Sequence, residues 1–101
     1  MELKVETNRK GYQEINFGNH HNSTSFYQFA ARLEKIISIR YTKKHDYFNT
    51  ITWDYMYREV PFKLYYDWHE GIFICLKNQE TATEQETEIF DGLALLLQRF
   101  N

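Results

Sequence analysis

The chain has 101 residues, of which 43% are hydrophobic and 18% aromatic, and this length and composition fit a single domain over residues 1–101. Only four glycines and one proline are present, which is not the composition of a disordered or low-complexity chain. A formal net charge of −2 supplies no positive field for nucleic acid, and no signal peptide or membrane span is recognisable, so we expect a soluble, cytoplasmic protein.

The first predicted element is a β-hairpin near the N-terminus. Leu3 and Val5 alternate with polar residues, and so do Ile15 and Phe17 on the far side of a polar stretch. An antiparallel pair with Leu3 opposite Phe17 and Val5 opposite Ile15 has one apolar face. The sequence therefore predicts two short strands here.

A helix is predicted from Ser25 to Ser38. Ser25 and Gln28 have the spacing of a capping box, in which each side chain satisfies a free main-chain amide of the other residue. We interpret residues 40–46 as a polar, basic connection. The apolar residues at helical spacing are Phe26, Phe29, Ala30, Leu33, Ile36 and Ile37.

Residues 48–77 have the clearest pattern in the chain, an alternation typical of β-strands. Three alternating segments predict three strands that pair in sequence as an antiparallel meander. The residues assigned to its inner face are Ile51, Trp53, Tyr55, Tyr57, Phe62, Leu64, Tyr66, Trp68, Ile72, Ile74 and Leu76.

Two loops connect the three strands of the meander. A loop at 69–71 uses Gly71 where a positive φ is needed, and places Trp68 in the core opposite Ile72. A loop at 58–61 keeps the large apolar residues of the first two strands on that same face. Because a one-residue slip would move one strand's apolar set to the opposite face, this agreement supports the meander.

The same two loops define the pairing across the meander. The loop at 58–61 places Tyr55 opposite Leu64, and the loop at 69–71 places Leu64 opposite Leu76.

A second helix follows, because Thr83 and Glu86 again have capping-box spacing ahead of a broad apolar stripe. Gly92 lies within this stripe, where glycine weakens a helix, and predicts close packing against a neighbour.

The resulting order β-β-α-β-β-β-α predicts an α+β, two-layer fold with both helices on one face of an antiparallel sheet. The other face carries a mixture of polar and apolar groups, which we interpret as a surface for dimerisation or for a partner. The residues predicted to form this binding surface are Tyr65, Asp67, Phe73, Met56 and Asp54.

Candidate catalytic chemistry is limited to one row of side chains. Tyr65, Asp67 and His69 share a face at every second position, and His69 would be the acid or base. We favour the simpler interpretation, in which Asp67 and His69 are exposed polar residues beside a glycine turn. No catalytic residue is therefore predicted, and His69 is the residue to mutate first.

Metal, cofactor and nucleic-acid sites are not expected. The histidines His20, His21, His45 and His69 lack metal-ligand spacing, the single Cys75 offers no thiol pair, and no glycine-rich phosphate loop is present. If the chain bound RNA, the exposed strand residues Tyr65 and Phe73 would be the rings that stack on bases. The acids on their face and the strand order argue against an RNA-binding role. The basic residues Arg32, Lys35, Arg40, Lys43 and Lys44 are interpreted as a solvated face.

Two hypotheses of function follow, and no family resemblance is recognised. The first is a non-catalytic protein that binds another protein or itself as a homodimer, in an adaptor, inhibitor, immunity or chaperone-like role. The alternative is a small-ligand-binding protein or enzyme with a pocket between sheet and helices, lined by Tyr55, Tyr66 and Trp53, in which His69 is the acid or base.

Overall fold

The computed structural model of the chain describes residues 3–18 and 22–100, and its fold is an antiparallel sheet covered on one face by two helices. The strands are β1 (Lys4–Thr7), β2 (Gln13–Asn16), β3 (Tyr41–Asp46), β4 (Thr50–Tyr57), β5 (Val60–Asp67) and β6 (Gly71–Leu76). The helices are α1 (Ser23–Ile36) and α2 (Glu84–Gln98), with a short 3-10 turn at Gln79–Thr81. The six strands lie in the order β1-β2-β6-β5-β4-β3, and the predicted α+β class is confirmed.

Both helix starts are fixed by side-chain caps. In α2 the capping box of Thr83 and Glu86 is formed as predicted, with hydrogen bonds of 3.0 and 3.1 Å. In α1 the cap is Asn22, whose Oδ1 accepts a 2.9 Å hydrogen bond from the Ser25 amide. The predicted start at Ser25 is therefore wrong, because an Asn three residues earlier supplies the same acceptor.

Strand β3 replaces the polar connection that the sequence predicts over residues 40–46. Its residues alternate weakly in polarity and are mostly exposed, so periodicity gives no signal. The strand is held by pairing with β4 and by the Tyr41 hydroxyl, which donates a 2.8 Å hydrogen bond to the Ala30 carbonyl of α1. The sheet therefore gains an edge strand from tertiary contacts that local sequence does not show.

The faces of the predicted meander are confirmed, but each strand pair is shifted by two residues. Tyr55 lies opposite Phe62 instead of Leu64, and Leu64 lies opposite Ile74 instead of Leu76. In the β4–β5 pair the shift arises at the turn, where Arg58 and Glu59 alone connect the strands with φ of 51° and 67°. A two-residue shift keeps every side chain on its face, so the apolar pattern cannot detect it.

Trp68 is the one predicted core residue of the meander that the structure places in solvent, at 59% exposure. Asp67 pairs with Gly71, and the carboxylate of Asp67 accepts hydrogen bonds from the amides of His69 and Glu70 at 2.8 and 3.2 Å. The turn therefore begins one residue earlier than predicted. Trp68 belongs to the loop and not to the strand.

The core lies between the inner face of the sheet and the two helices, with α1 over β5 and α2 over β6. Ile15, Leu64 and Ile74 of the sheet have no exposed surface, and neither has Phe26 of α1. Gly92 of α2 is exposed, and a Cβ built there would meet nothing within 4 Å. The close packing predicted at Gly92 is therefore wrong.

Candidate functional site

The five residues predicted as a binding surface do not form one exposed patch. Phe73 and Asp54 are each 8% exposed, and only Met56 is freely accessible. The Asp54 carboxylate forms an ion pair with Lys77, in which Nζ and Oδ2 are 3.0 Å apart. Phe73 and Asp54 are therefore largely covered while Met56 is exposed, and binding at these five residues stays a prediction.

Asp67 and His69 are not brought together as an acid–base pair. The Asp67 carboxylate is engaged with the main-chain amides of the β5–β6 turn. The His69 ring lies against Trp68 instead, with ring centroids 4.4 Å apart. Asp67 is explained as a turn-forming residue, which is a common use of Asp at this position.

The outer face of the sheet carries a concave groove of about 860 Å³ beside the β1–β2 hairpin. Its lining includes Tyr65 and Phe73, whose rings are 4.6 Å apart, and the nearly buried Cys75. Phe73 is too covered to act as the base-stacking platform considered above. The charged residues of the lining are Lys4, Glu6, Arg9, Lys10, Glu14, Lys63 and Glu70.

Burial and charge change the acidity of two groups in this groove. The pKa of Glu14 is raised from 4.5 by desolvation, then by the nearby charge of Glu70 and, to a smaller extent, that of Glu6. Desolvation raises the pKa of the Cys75 thiol to about 11. At neutral pH Cys75 is therefore a protonated thiol and not a nucleophile.

The rings predicted to line an internal ligand pocket pack against other rings. Trp53 meets Phe26 edge to face at 5.2 Å, and Tyr55 stacks on Phe62 at 5.5 Å. Tyr66 also contacts Phe26, at 6.1 Å. These three predicted pocket residues form part of the core, and neither the outer groove nor the small cavity of about 30 Å³ beside Phe29 is lined by them.

Exposed aromatic side chains gather at one end of the sheet. Tyr47, Phe48 and Trp68 are 63%, 105% and 59% exposed, and we call these three residues the aromatic end. Tyr47 and Phe48 lie in the β3–β4 turn, and Trp68 lies in the β5–β6 turn. The Trp68 amide donates a 3.2 Å hydrogen bond to the Asn49 carbonyl, which joins the two turns.

A carboxylate holds the aromatic end against the body of the protein. Asp46 accepts a 2.7 Å hydrogen bond from the Tyr27 hydroxyl of α1 and another of 2.7 Å from Trp53 Nε1 of β4. The hydrogen bond between the Tyr27 hydroxyl and Asp46 is also the main cause that raises the pKa of Tyr27. Asp46 directly precedes Tyr47, so the start of the turn that carries two of the exposed rings is anchored to α1 and to β4.

Two histidine rings lie beside the aromatic end. His45 stacks on Tyr47 with centroids 6.1 Å apart and an interplanar angle of 7°, while His69 contacts Trp68. Within residues 3–18 and 22–100 no group of three or more His, Cys, Asp or Glu is arranged to hold a metal ion. His20 and His21 lie outside the described residues.

The sequence prediction missed the aromatic end because it assigned Trp68 to the core. The signal available in the sequence was the polar and turn-forming surroundings of Phe48 and Trp68, which are followed by Asn49 and by His69. Asp67 before Trp68 is a further turn signal. The prediction followed the alternating pattern of β5 instead, and Trp68 continues that pattern by one further position.

Comparison with protein-family models, with curated proteins and with solved structures gave no match to this chain. Among the described residues, neither helix combines the length and apolar character that crossing a bilayer requires. The structure of the chain itself is therefore the basis for a proposal of function.

Proposed function

We propose that this protein acts by binding another protein through the aromatic end. The observation that supports this is the exposure of Tyr47, Phe48 and Trp68 on two turns that are joined by a main-chain hydrogen bond. Trp and Tyr are the residue types that dominate the energetic centres of protein interfaces. An exposed apolar group of this kind on a small protein indicates an interaction surface.

The rigidity of the surface also supports binding. Asp46 fixes one turn through Tyr27 and Trp53, and the carboxylate of Asp67 fixes the other through two main-chain amides. A loop whose main chain is already ordered loses less conformational entropy when a partner binds. The main chain of the two turns that carry the rings is therefore anchored before any partner arrives.

The proposal is tested by comparing the proteins enriched by wild-type chain with those enriched by a Phe48→Ser/Trp68→Ser variant. A control is Met56→Ser/Leu95→Ser, which removes two other exposed apolar side chains, at 47% and 64% exposure, that lie outside the aromatic end. We expect a partner that is lost with the first variant, retained with the control, and bound directly when purified. The proposal fails if no purified partner distinguishes the two variants.

A second candidate function is the binding of a small polar ligand in the outer groove. The specific observation is its volume of about 860 Å³, with Lys63, Arg9 and Glu14 among the residues that line it and His69 at its wall. Pockets of this size suit metabolites. A thermal-shift screen of charged metabolites tests this idea, and a stabilisation that Lys63→Ala abolishes would support it over the first candidate.

A cytoplasmic location forms part of the proposal. It is supported by the cysteine content, since a single cysteine, Cys75, leaves no pair for the internal disulfides that are common in small secreted domains. Fractionation of cells that express the tagged chain tests it, with recovery outside the cytoplasm as the contrary result.

A further inference from the structure

Strand β1 forms one edge of the sheet, and the direction of its main-chain groups is defined by its pairing with β2. The Asn8 amide donates a 2.7 Å hydrogen bond to the Tyr12 carbonyl at the end of the ladder. Because hydrogen-bonded and non-bonded positions alternate in an antiparallel pair, Lys4 and Glu6 also direct their main-chain groups to β2. Val5 and Thr7 direct theirs away from the sheet.

The side chains of β1 form a short pattern that is complementary to itself. Lys4 and Glu6 lie on the outer face, two residues apart, with opposite charges. Val5 lies between them on the inner face and is 42% exposed. When such a strand pairs antiparallel with a copy of itself about Val5, each lysine lies opposite a glutamate and the two valines meet.

We infer that two copies of this chain associate through antiparallel pairing of their β1 strands, with Val5 on the two-fold axis and Lys4 of each copy opposite Glu6 of the other. Val5 is a position whose amide and carbonyl point away from β2, toward the edge where the second copy would pair. The two six-stranded sheets then become one continuous sheet. The inference does not depend on the proposed function, because the aromatic end lies on other elements.

A charge conflict within the chain supports this arrangement. Glu6 lies directly opposite Glu14 in the β1–β2 pair, and like charges in this position are destabilising. In the dimer the ammonium group of the second copy's Lys4 lies beside Glu6. The second copy therefore supplies the positive charge that the pairing of β1 with β2 lacks.

The opposite edge strand of the sheet, β3, is not complementary in charge to a second copy of itself. Strand β3 carries Lys43 and Lys44 at its centre, so that antiparallel pairing with itself about the middle of the strand brings lysines opposite each other. Lysine on an edge strand is a common protection against unwanted pairing. Of the two edges, only β1 has charges that suit a second copy.

The interface also extends the outer groove. Lys4, Glu6 and Thr7 belong to its lining, so the grooves of two paired copies lie side by side on one face of the continuous sheet. Because β1 is only four residues long, we expect a concentration-dependent dimer and not a permanent one.

The test is sedimentation analysis of the full chain over a wide concentration range, with charge variants of β1. We expect wild type to dimerise, and both Lys4→Glu and Glu6→Lys to remain monomeric, because each places like charges opposite one another twice. An equimolar mixture of these two variants should dimerise again, since every opposing pair is then of opposite charge. Lys35→Glu, at an exposed position of α1 away from both edges of the sheet, is the matched control and should dimerise like wild type.

A main-chain variant tests the pairing independently of charge. Val5→Pro removes the amide that would bond across the two-fold axis, and leaves the β1–β2 hydrogen bonds of Lys4 and Glu6 in place. We expect a folded monomer by circular dichroism and sedimentation. A wild-type chain that is monomeric throughout, a dimer that tolerates Val5→Pro, or a mixture of the charge variants that does not pair would overturn the inference.

Discussion

Asp46 and Trp53 are joined by a 2.7 Å hydrogen bond from the indole Nε1 to the carboxylate, which ties the end of β3 to the middle of β4. The second oxygen of Asp46 accepts from Tyr27 of α1. One carboxylate therefore links two strands and a helix directly below the exposed turn of Tyr47 and Phe48. These hydrogen bonds anchor the main chain at the start of a surface turn, a kind of segment that is otherwise often mobile.

Replacing Asp46 with alanine should therefore weaken both stability and binding. We expect a loss of about 1 kcal/mol in the free energy of unfolding, since two hydrogen bonds at an exposed site are removed. Urea denaturation measures the loss, and titration with the partner measures the effect on affinity. Asp91→Ala, at an exposed position of α2, is the control. Equal behaviour of the two variants would show that Asp46 has no such role.

Gly92 offers a prediction of the opposite sign. Because it is an exposed helical position with open space around it, Gly92→Ala should stabilise the protein by about 0.5–1 kcal/mol through the lower entropy of the unfolded chain. Gly71→Ala, at a φ of 93°, should destabilise it instead. Thermal unfolding of both variants checks the pair. A destabilising Gly92→Ala would mean that α2 packs against something at this position.

The Glu14 carboxylate should make stability depend on pH. Its pKa is raised in the folded chain, so its favourable contribution is present below about pH 4.5 and is lost as the pH rises through the folded-state value. Glu14→Gln should therefore stabilise the protein at neutral pH and have little effect in acid. Urea denaturation at both pH values, with Glu88→Gln as the control, measures this. A stabilisation that is equal at both pH values would contradict the electrostatic cause.

The half-buried Tyr41 and the buried Tyr55 should respond differently to loss of their hydroxyls. Tyr41 donates to the Ala30 carbonyl, so Tyr41→Phe should cost about 1 kcal/mol. The Tyr55 hydroxyl is buried without a hydrogen-bond partner among the described residues, so Tyr55→Phe should be neutral or stabilising. Chemical denaturation of the two variants distinguishes them. A large loss in Tyr55→Phe would reveal a partner for its hydroxyl.

The sequence was sufficient to predict those parts of the fold that local patterns control. Thr83 and Glu86 define the start of α2, and strict alternation assigns Tyr55, Leu64 and Ile74 to the inner face. These features depend on spacing within a single segment. The pairing of Val5 with Ile15 followed from the same kind of pattern and is also observed.

The remaining features depend on choices that local pattern does not contain. The two-residue turn at Arg58 and Glu59 places ordinary residues at positive φ, which favours glycine or asparagine, so their residue types do not indicate so short a turn. The β5–β6 turn begins directly after Asp67, one residue earlier than predicted, so Trp68 lies in solvent. Since the aromatic end consists of turn residues, an error of one position in a turn was enough to hide the candidate site.

If Trp68 lies in a protein interface, fluorine NMR of the chain labelled with fluorotryptophan will detect its burial when the partner binds. The chain has two tryptophans, and Trp68→Phe assigns their resonances. On saturation with the purified partner, we predict that the Trp68 resonance shifts and loses its solvent-isotope effect while that of Trp53 stays in place. A Trp68 resonance that remains unchanged and solvent-exposed at saturation would show that Trp68 does not lie in the interface.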